Sequence, residues 1–196
     1  MDTDNVMSTE DVKQFFVQDA DLVVVDTEFT SLEFMKSELV EIGLVKLKAK
    51  TYEVIGEEDI KIKPTRIETA SPKSLEIIGY SQEEWDRDGV SLTEGLQRFL
   101  NYTDQCMLVA HNLPADWMVL RRAFEEVGLK ENFYYKGLDT FSLAFAKLGG
   151  VSSSTGFERY SLGELAKHFG VDEGQKHRAI DDARATAEIF KKLMAL

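Results

Sequence analysis

Cysteine is nearly missing from this chain of 196 residues. The single one, Cys106, excludes an intrachain disulfide and any cluster of thiolates around zinc. Such usage fits a reducing compartment, and the expected location is cytoplasmic. Long apolar runs are also absent. The purest, Leu22-Val23-Val24-Val25, falls far short of the roughly 20 residues that a bilayer helix needs, so no membrane partner is expected. The opening Met1-Asp2-Thr3-Asp4-Asn5 lacks the basic and apolar stretches of a secretion signal. Positive charge is the last deficit: Lys+Arg number 23 against 35 Asp+Glu, a net charge of -12. Proteins that coat long nucleic acid carry a basic face, because counterion release drives that binding. Tight binding along a duplex is therefore excluded. A grip on a short stretch at one locally positive place, such as a metal site, stays open beside the plainer explanation of simple solubility.

What is present is enough apolar surface, 43% of residues, to offset chain entropy, with only 3 prolines and 13 glycines. With no repeat, low-complexity tract or linker, one domain is expected, with residues 22–194 as its core and residues 1–20 as a helical extension. Residues 8–18 read as a short amphipathic helix with Val12, Phe15 and Phe16 on its apolar side. The β-branched run over 22–29 suits a buried central strand, and residues 39–47 and 52–63 read as two more strands. Ser71-Pro72 predicts a helix start and Gly79 its stop, while Ser81…Glu84, Ser91…Glu94 and Ser161…Glu164 have capping-box spacing. A short strand over 106–110 precedes a helix over 114–127 carrying Trp117, Leu120, Phe124 and Val127. Helices over 160–169 and 179–194 follow, the last buried through Ala183, Thr186, Phe190 and Leu193. The pattern is that of an α/β domain with a mixed sheet. Residues 149–156, GGVSSSTG, read as the mobile loop.

Three features bear chemistry. Asp26 and Glu28 stand two apart in the best strand, so both carboxylates share a face while Thr27 points the other way. Either the strand ends at Asp26 and both acids meet water, or a cation or donors offset their desolvation. His111-Asn112-Leu113-Pro114-Ala115-Asp116 follows a short strand and enters a helix. Asp116 then lies in a first turn, where acids are common in any case because the helix dipole favours them. His177-Arg178-Ala179-Ile180-Asp181-Asp182 leads into the last helix. Asp182 falls on the side of Thr186, Ile189 and Leu193 and needs a partner; Asp181 points about 100° away, toward solvent. His177 precedes the helix on loop backbone and can reach back over the acids, whereas His168 reads as inert.

Taken in this order, D-x-E, then H-N-x-x-x-D, then H-x-x-x-x-D, the chain resembles the DnaQ-like 3′–5′ exonuclease superfamily in its DEDDh branch, over about residues 22–193. Leu138-Asp139-Thr140 is similar to that family's D-T segment, and Ile67…Gly79-Tyr80 and Tyr160-Ser161-Leu162…Leu165 add to the likeness. The resemblance implies a ribonuclease H-like fold, a five-stranded mixed sheet with flanking helices. It implies that Asp26, Glu28, Asp116 and Asp182 hold two divalent ions, Mg²⁺ or Mn²⁺, roughly 4 Å apart, which clamp the attacking and leaving oxygens of a phosphodiester. Hard ions suit a set of carboxylates without cysteine, and paired ions balance about four negative charges, leaving room for a phosphate. It makes His177 the general base, since imidazole accepts a proton near neutrality, and Asp139 a supporting residue.

Two departures bear on substrate. Ala115 rather than an aromatic precedes Asp116, and Phe29-Thr30-Ser31-Leu32 replaces Thr-Thr-Gly-Leu after the first motif. Phe29 or Leu32 is expected to contact the terminal base, unless both belong to the core, and Thr30 or Asn112 to hydrogen-bond sugar or phosphate. The expected substrate is the 3′ end of single-stranded DNA or RNA. Several members of that superfamily dimerise, but no seam here marks a homodimer interface. The chain ends two residues past Met194, with no evident polymerase-docking tail, which favours a free-standing repair or turnover enzyme. The rival from another class is a non-catalytic module of the same fold that binds nucleic-acid ends or proteins. It predicts the loss of an acid or of His177, and none is lost. A more distant alternative is an unrelated α/β domain with its acids scattered over the surface.

Overall fold

The computed structural model describes residues 17–33, 36–149, 157–175 and 177–196. The helix expected over 8–18 and the loop expected over 149–156 fall almost wholly outside them; Val17–Asp19 forms a short 3-10 turn. Three antiparallel strands come first: β1 (Leu22–Phe29), β2 (Leu39–Leu47) and β3 (Val54–Lys61). The third is shorter than expected, because the chain turns through left-handed Lys50 and Tyr52 before pairing begins. Three helices follow, α1 (Pro72–Ile77), α2 (Gln82–Asp88) and α3 (Leu92–Thr103). Then come β4 (Met107–Ala110), α4 (Leu113–Val127), β5 (Tyr134–Asp139), α5 (Thr140–Lys147), α6 (Leu162–Phe169) and α7 (Ala179–Met194). Ser71, Ser81, Ser91 and Ser161 each accept an N–H three residues on, but only Ser161 and Glu164 close the reciprocal box. Among the described residues no helix is long and apolar enough to cross a membrane.

The sheet runs β3-β2-β1-β4-β5, antiparallel across the first two interfaces and parallel across the last two. This is the five-stranded mixed sheet with flanking helices of the ribonuclease H-like fold. The alternation of β1 separates two cores. Val23 and Val25 pack with Phe99, Leu120 and Phe124 beneath α3 and α4. Leu22 and Val24 pack with Ala183, Ala187 and Phe190 of α7. Carried two residues further, the same alternation puts Asp26 and Glu28 on the α7 face and Thr27 on the α4 face.

The start of α7 lies directly on β2, and Gly43, the cross-strand partner of Asp26, permits it. A Cβ at Gly43 would overlap the carbonyl carbon and oxygen of Ala179. The close approach brings the residues around the helix start over the end of β1. Gly43→Ala should therefore push α7 away and cost about 1–3 kcal/mol, the usual range for overpacking. Chemical denaturation checks the loss, and an unchanged midpoint would show that α7 yields freely.

Candidate active site

β4 accompanies β1 only as far as the pair Val24 and Val109. Asp26, Thr27 and Glu28 run on, paired with β2 but no longer with β4, into the crevice at the carboxyl ends of two parallel strands whose connections depart to opposite sides. Open α/β sheets place ligands at such a point. The first turn of α4 takes up the space. Asp116, 5% exposed, accepts the Thr27 hydroxyl at 2.7 Å and the Thr27 backbone N–H as well. Its carboxylate thus takes the place of the missing strand. Asn112 makes the preceding turn in the left-handed region, at φ 68°. Asp139 holds that turn: its Oδ1 accepts the Asn112 N–H at 2.8 Å, and the same carboxylate caps α5 through the N–H groups of Phe141 and Ser142.

On the other face, His177 also adopts a left-handed backbone, at φ 60°, a conformation that histidine tolerates better than most residues. Its N–H donates to Oδ2 of Asp182 at 3.2 Å, tying the loop to the first turns of α7. Glu28, His177 and Asp182 each offer a ligand atom within 4.8 Å of the others. Of these Asp182 is buried, Glu28 half-buried and His177 exposed. The backbone hydrogen bond occupies one oxygen of Asp182.

Electrostatics joins this group to the other two acids. Burial drives the Asp26 carboxyl well above its usual range, and Asp116, Glu28, Asp182 and Glu41 push it further. Glu28 is raised to about 8, by burial first and then by Asp182, Glu41 and Asp116. Asp116 rises to about 7 through burial, against the lowering hydrogen bonds from Thr27. Asp182 is raised by burial, opposed by the His177 N–H. Carboxylates so crowded share protons or bind cations. A set of hard carboxylate oxygens, with the Arg178 cation acting on Glu28, fits a hard divalent metal.

The remaining sequence expectations meet varied outcomes. Phe29 is half-buried and packs against the core under α3 and α4. Leu32 is 77% exposed and so is not a core residue. Thr30 is 1% exposed, and its hydroxyl accepts the Glu38 N–H at 2.9 Å; that gives it a structural duty in the turn after β1. Asn112 is exposed, and its side chain makes no capping bond. Asp181 is not simply solvated, as expected, but accepts the Gln175 N–H at 3.1 Å and pairs with Arg184 at 3.0 Å. His168 packs its ring between Phe157 and Phe169. His111 bonds Thr140 at 2.9 Å, and burial lowers its pKa. Sequence reasoning passed over Thr27 and Glu41. The signal for Glu41 is an acid inside the apolar run Leu39–Leu47, where it is 0% exposed and sits opposite Glu28.

The raised carboxyls set the pH response. In the metal-free protein Glu28 holds its proton up to about 8, whereas the unfolded chain releases it near 4.5. The folded state thus binds more protons within that window, so this group makes stability fall as pH rises through it. The melting temperature of metal-free protein should drop across the window. Mn²⁺ should raise it most at the upper end, where the carboxylates are free to bind. An equal Mn²⁺ effect at both ends would contradict the assignment.

Residues 23–190 match the exonuclease family model RNase_T. The chain is 35% identical over 179 residues to the DNA polymerase III PolC-type protein of Thermotoga maritima, covering 91% of this chain but 12% of that one. It spans a similarly small part of the other PolC-type relatives. To the DNA polymerase III subunit epsilon of Treponema pallidum it is 30% identical over 172 residues, 87% of this chain and 74% of that one. Among solved structures, the nuclease domain of 3′hExo, a DEDDh member bound to rAMP, superposes with a TM-score of 0.71 at 18% identity, over 89% of this chain and 92% of that one. Exonuclease I of E. coli in complex with a dT13 oligonucleotide gives 0.74 at 17% identity, over 89% and 41% of the respective chains.

Proposed function

As the chain belongs to the RNase_T family of DnaQ-like exonucleases, we propose that it removes nucleotides from the 3′ ends of single-stranded nucleic acid by metal-dependent hydrolysis. The observation that carries this is the meeting of Glu28, Asp182 and His177 within 4.8 Å, next to Asp26 and Asp116. Asp26, Glu28, Asp116 and Asp182 would hold two divalent ions, which when bound polarise the phosphodiester and offset charge on the attacking and leaving oxygens. His177, exposed at the rim, takes the proton of the water that attacks phosphorus. The bond to the 3′-oxygen then breaks, and the terminal nucleotide leaves as a monophosphate. Thr27 and Asp139 keep Asp116 in place throughout.

For the substrate, exposed Leu32 and half-buried Phe29 flank the end of β1, where a terminal base can rest, and exposed Asn112 is free to bond sugar or phosphate. Kinship with polymerase III proteins supports DNA as the substrate and a DNA polymerase as the companion. The experiment is a 5′-labelled single-stranded oligonucleotide, as DNA and as RNA, incubated with Mg²⁺ or Mn²⁺ and with EDTA. A ladder shortening from the 3′ end and abolished by EDTA is expected; intact label under every condition would reject the assignment.

Two variants sharpen it. Asp182→Ala should abolish cleavage with the far-ultraviolet circular dichroism unchanged, and a normal rate in that variant would remove Asp182 from the site. His177→Ala should lower turnover by roughly 10²–10⁴-fold, the usual worth of a general base, with a smaller effect on Mn²⁺ affinity. Equal losses of turnover and affinity would make His177 a ligand instead.

A further inference from the structure

The residue after His177 is an arginine with only 16% of its side chain exposed. Its Nη2 reaches Oε1 of Glu41 at 3.1 Å and Oε1 of Glu84 at 2.9 Å. The guanidinium also lies 5.6 Å from the ring centroid of Trp85. Lys61 joins the same group, at 3.6 Å from Glu41 and 3.4 Å from Glu84. Glu41 is the cross-strand neighbour of both Glu28 and Lys61. Trp85 in turn donates its indole N–H to the Val40 carbonyl at 2.8 Å, fastening α2 to β2. Arg178 therefore binds the start of α7 to β2 and α2 at once. Its carbonyl accepts the N–H groups of Asp181 at 2.9 Å and Asp182 at 3.0 Å, so the residue that follows His177 is held through both its side chain and its backbone.

Burying a guanidinium is costly, and a helix start that needed only packing would be served by an apolar side chain. A guanidinium nitrogen that hydrogen-bonds Glu84 and ion-pairs with Glu41, carboxylates on two different elements, supplies direction instead. His177 needs direction: its left-handed backbone must be held by its surroundings. We infer that Arg178 is a positioning residue, whose ties to Glu41 and Glu84 hold His177 over Glu28 and Asp182. The inference rests on the proposed role of His177 as the base.

The test uses the full chain with Arg178→Gln, Arg178→Lys, Glu84→Gln and the double variant Glu41→Gln/Arg178→Gln. The double variant removes the carboxylate that the first would leave uncompensated and so guards against simple misfolding. Each is measured for kcat and KM on the labelled oligonucleotide, for Mn²⁺ binding by calorimetry, and for the imidazole carbon–proton signals of His177, with His111 and His168 as internal references. In Arg178→Gln and in the double variant, kcat should fall roughly 10- to 100-fold, the usual effect of displacing a reacting group by about an ångström, with KM and Mn²⁺ affinity within about twofold. The His177 signal should shift or broaden while those of His111 and His168 stay put. Arg178→Lys should recover part of kcat, and Glu84→Gln should lose less than Arg178→Gln. Wild-type kcat together with an unmoved His177 signal in Arg178→Gln would overturn the inference. So would a parallel loss of Mn²⁺ affinity with all three histidine signals displaced, which marks a general defect of the fold. A wild type without nuclease activity counts against the nuclease assignment alone, and the histidine signals then decide the role of Arg178.

Discussion

Negative charge that folding concentrates without neutralising it is the constraint on which this structure turns. Burial raises the pKa of Asp26, Glu28, Asp116 and Asp182 at the end of β1, and the charges of Asp116 and Asp182 raise Asp26 and Glu28 further. An arrangement of this kind lowers the stability of the metal-free fold at neutral pH. It is retained where a cation restores what is lost, and the same charge density that penalises the empty protein selects hard divalent ions when they bind.

The scaffold's special features serve to hold those acids together. Gly43 lets α7 lie on β2 without a side chain between them. Thr27 offers Asp116 the hydrogen bonds that β4 does not extend far enough to make. Asn112 and His177 both occupy the left-handed region on the approach to a helix that carries a site carboxylate. These two left-handed residues and the close approach at Gly43 lie at the end of the sheet that carries the acids, while Leu22, Val24 and Phe190 pack at the other.

Membership of the exonuclease family, with likeness to bacterial DNA polymerase III proteins, accords with this electrostatic picture. A strongly acidic chain cannot hold a long polyanion by surface charge. A site that becomes locally positive only when metals are bound confines the interaction to the few nucleotides that reach it. That suits an enzyme acting at chain ends.

Much of this was legible in the sequence, because it depends on local periodicity. The apolar run of β1 and the spacing of α7 define their own boundaries, and the offset of two between Asp26 and Glu28 places both on one face of a strand whatever surrounds it. β5 was far less legible, since half-exposed YYKGLD on the sheet edge has neither alternation nor a continuous apolar stretch. The neighbours of the site were illegible for a different reason. Thr27 faces Asp116 across 89 positions of sequence, and Arg178 meets Glu84 across 94. Spacing along a chain determines which residues share a face; only the packing of one element on another determines which faces meet. The sequence by itself thus determined which acids are available and how each element presents them. The tertiary structure decided that β1 outruns β4, that Gly43 admits α7, and hence which charges must share one small volume.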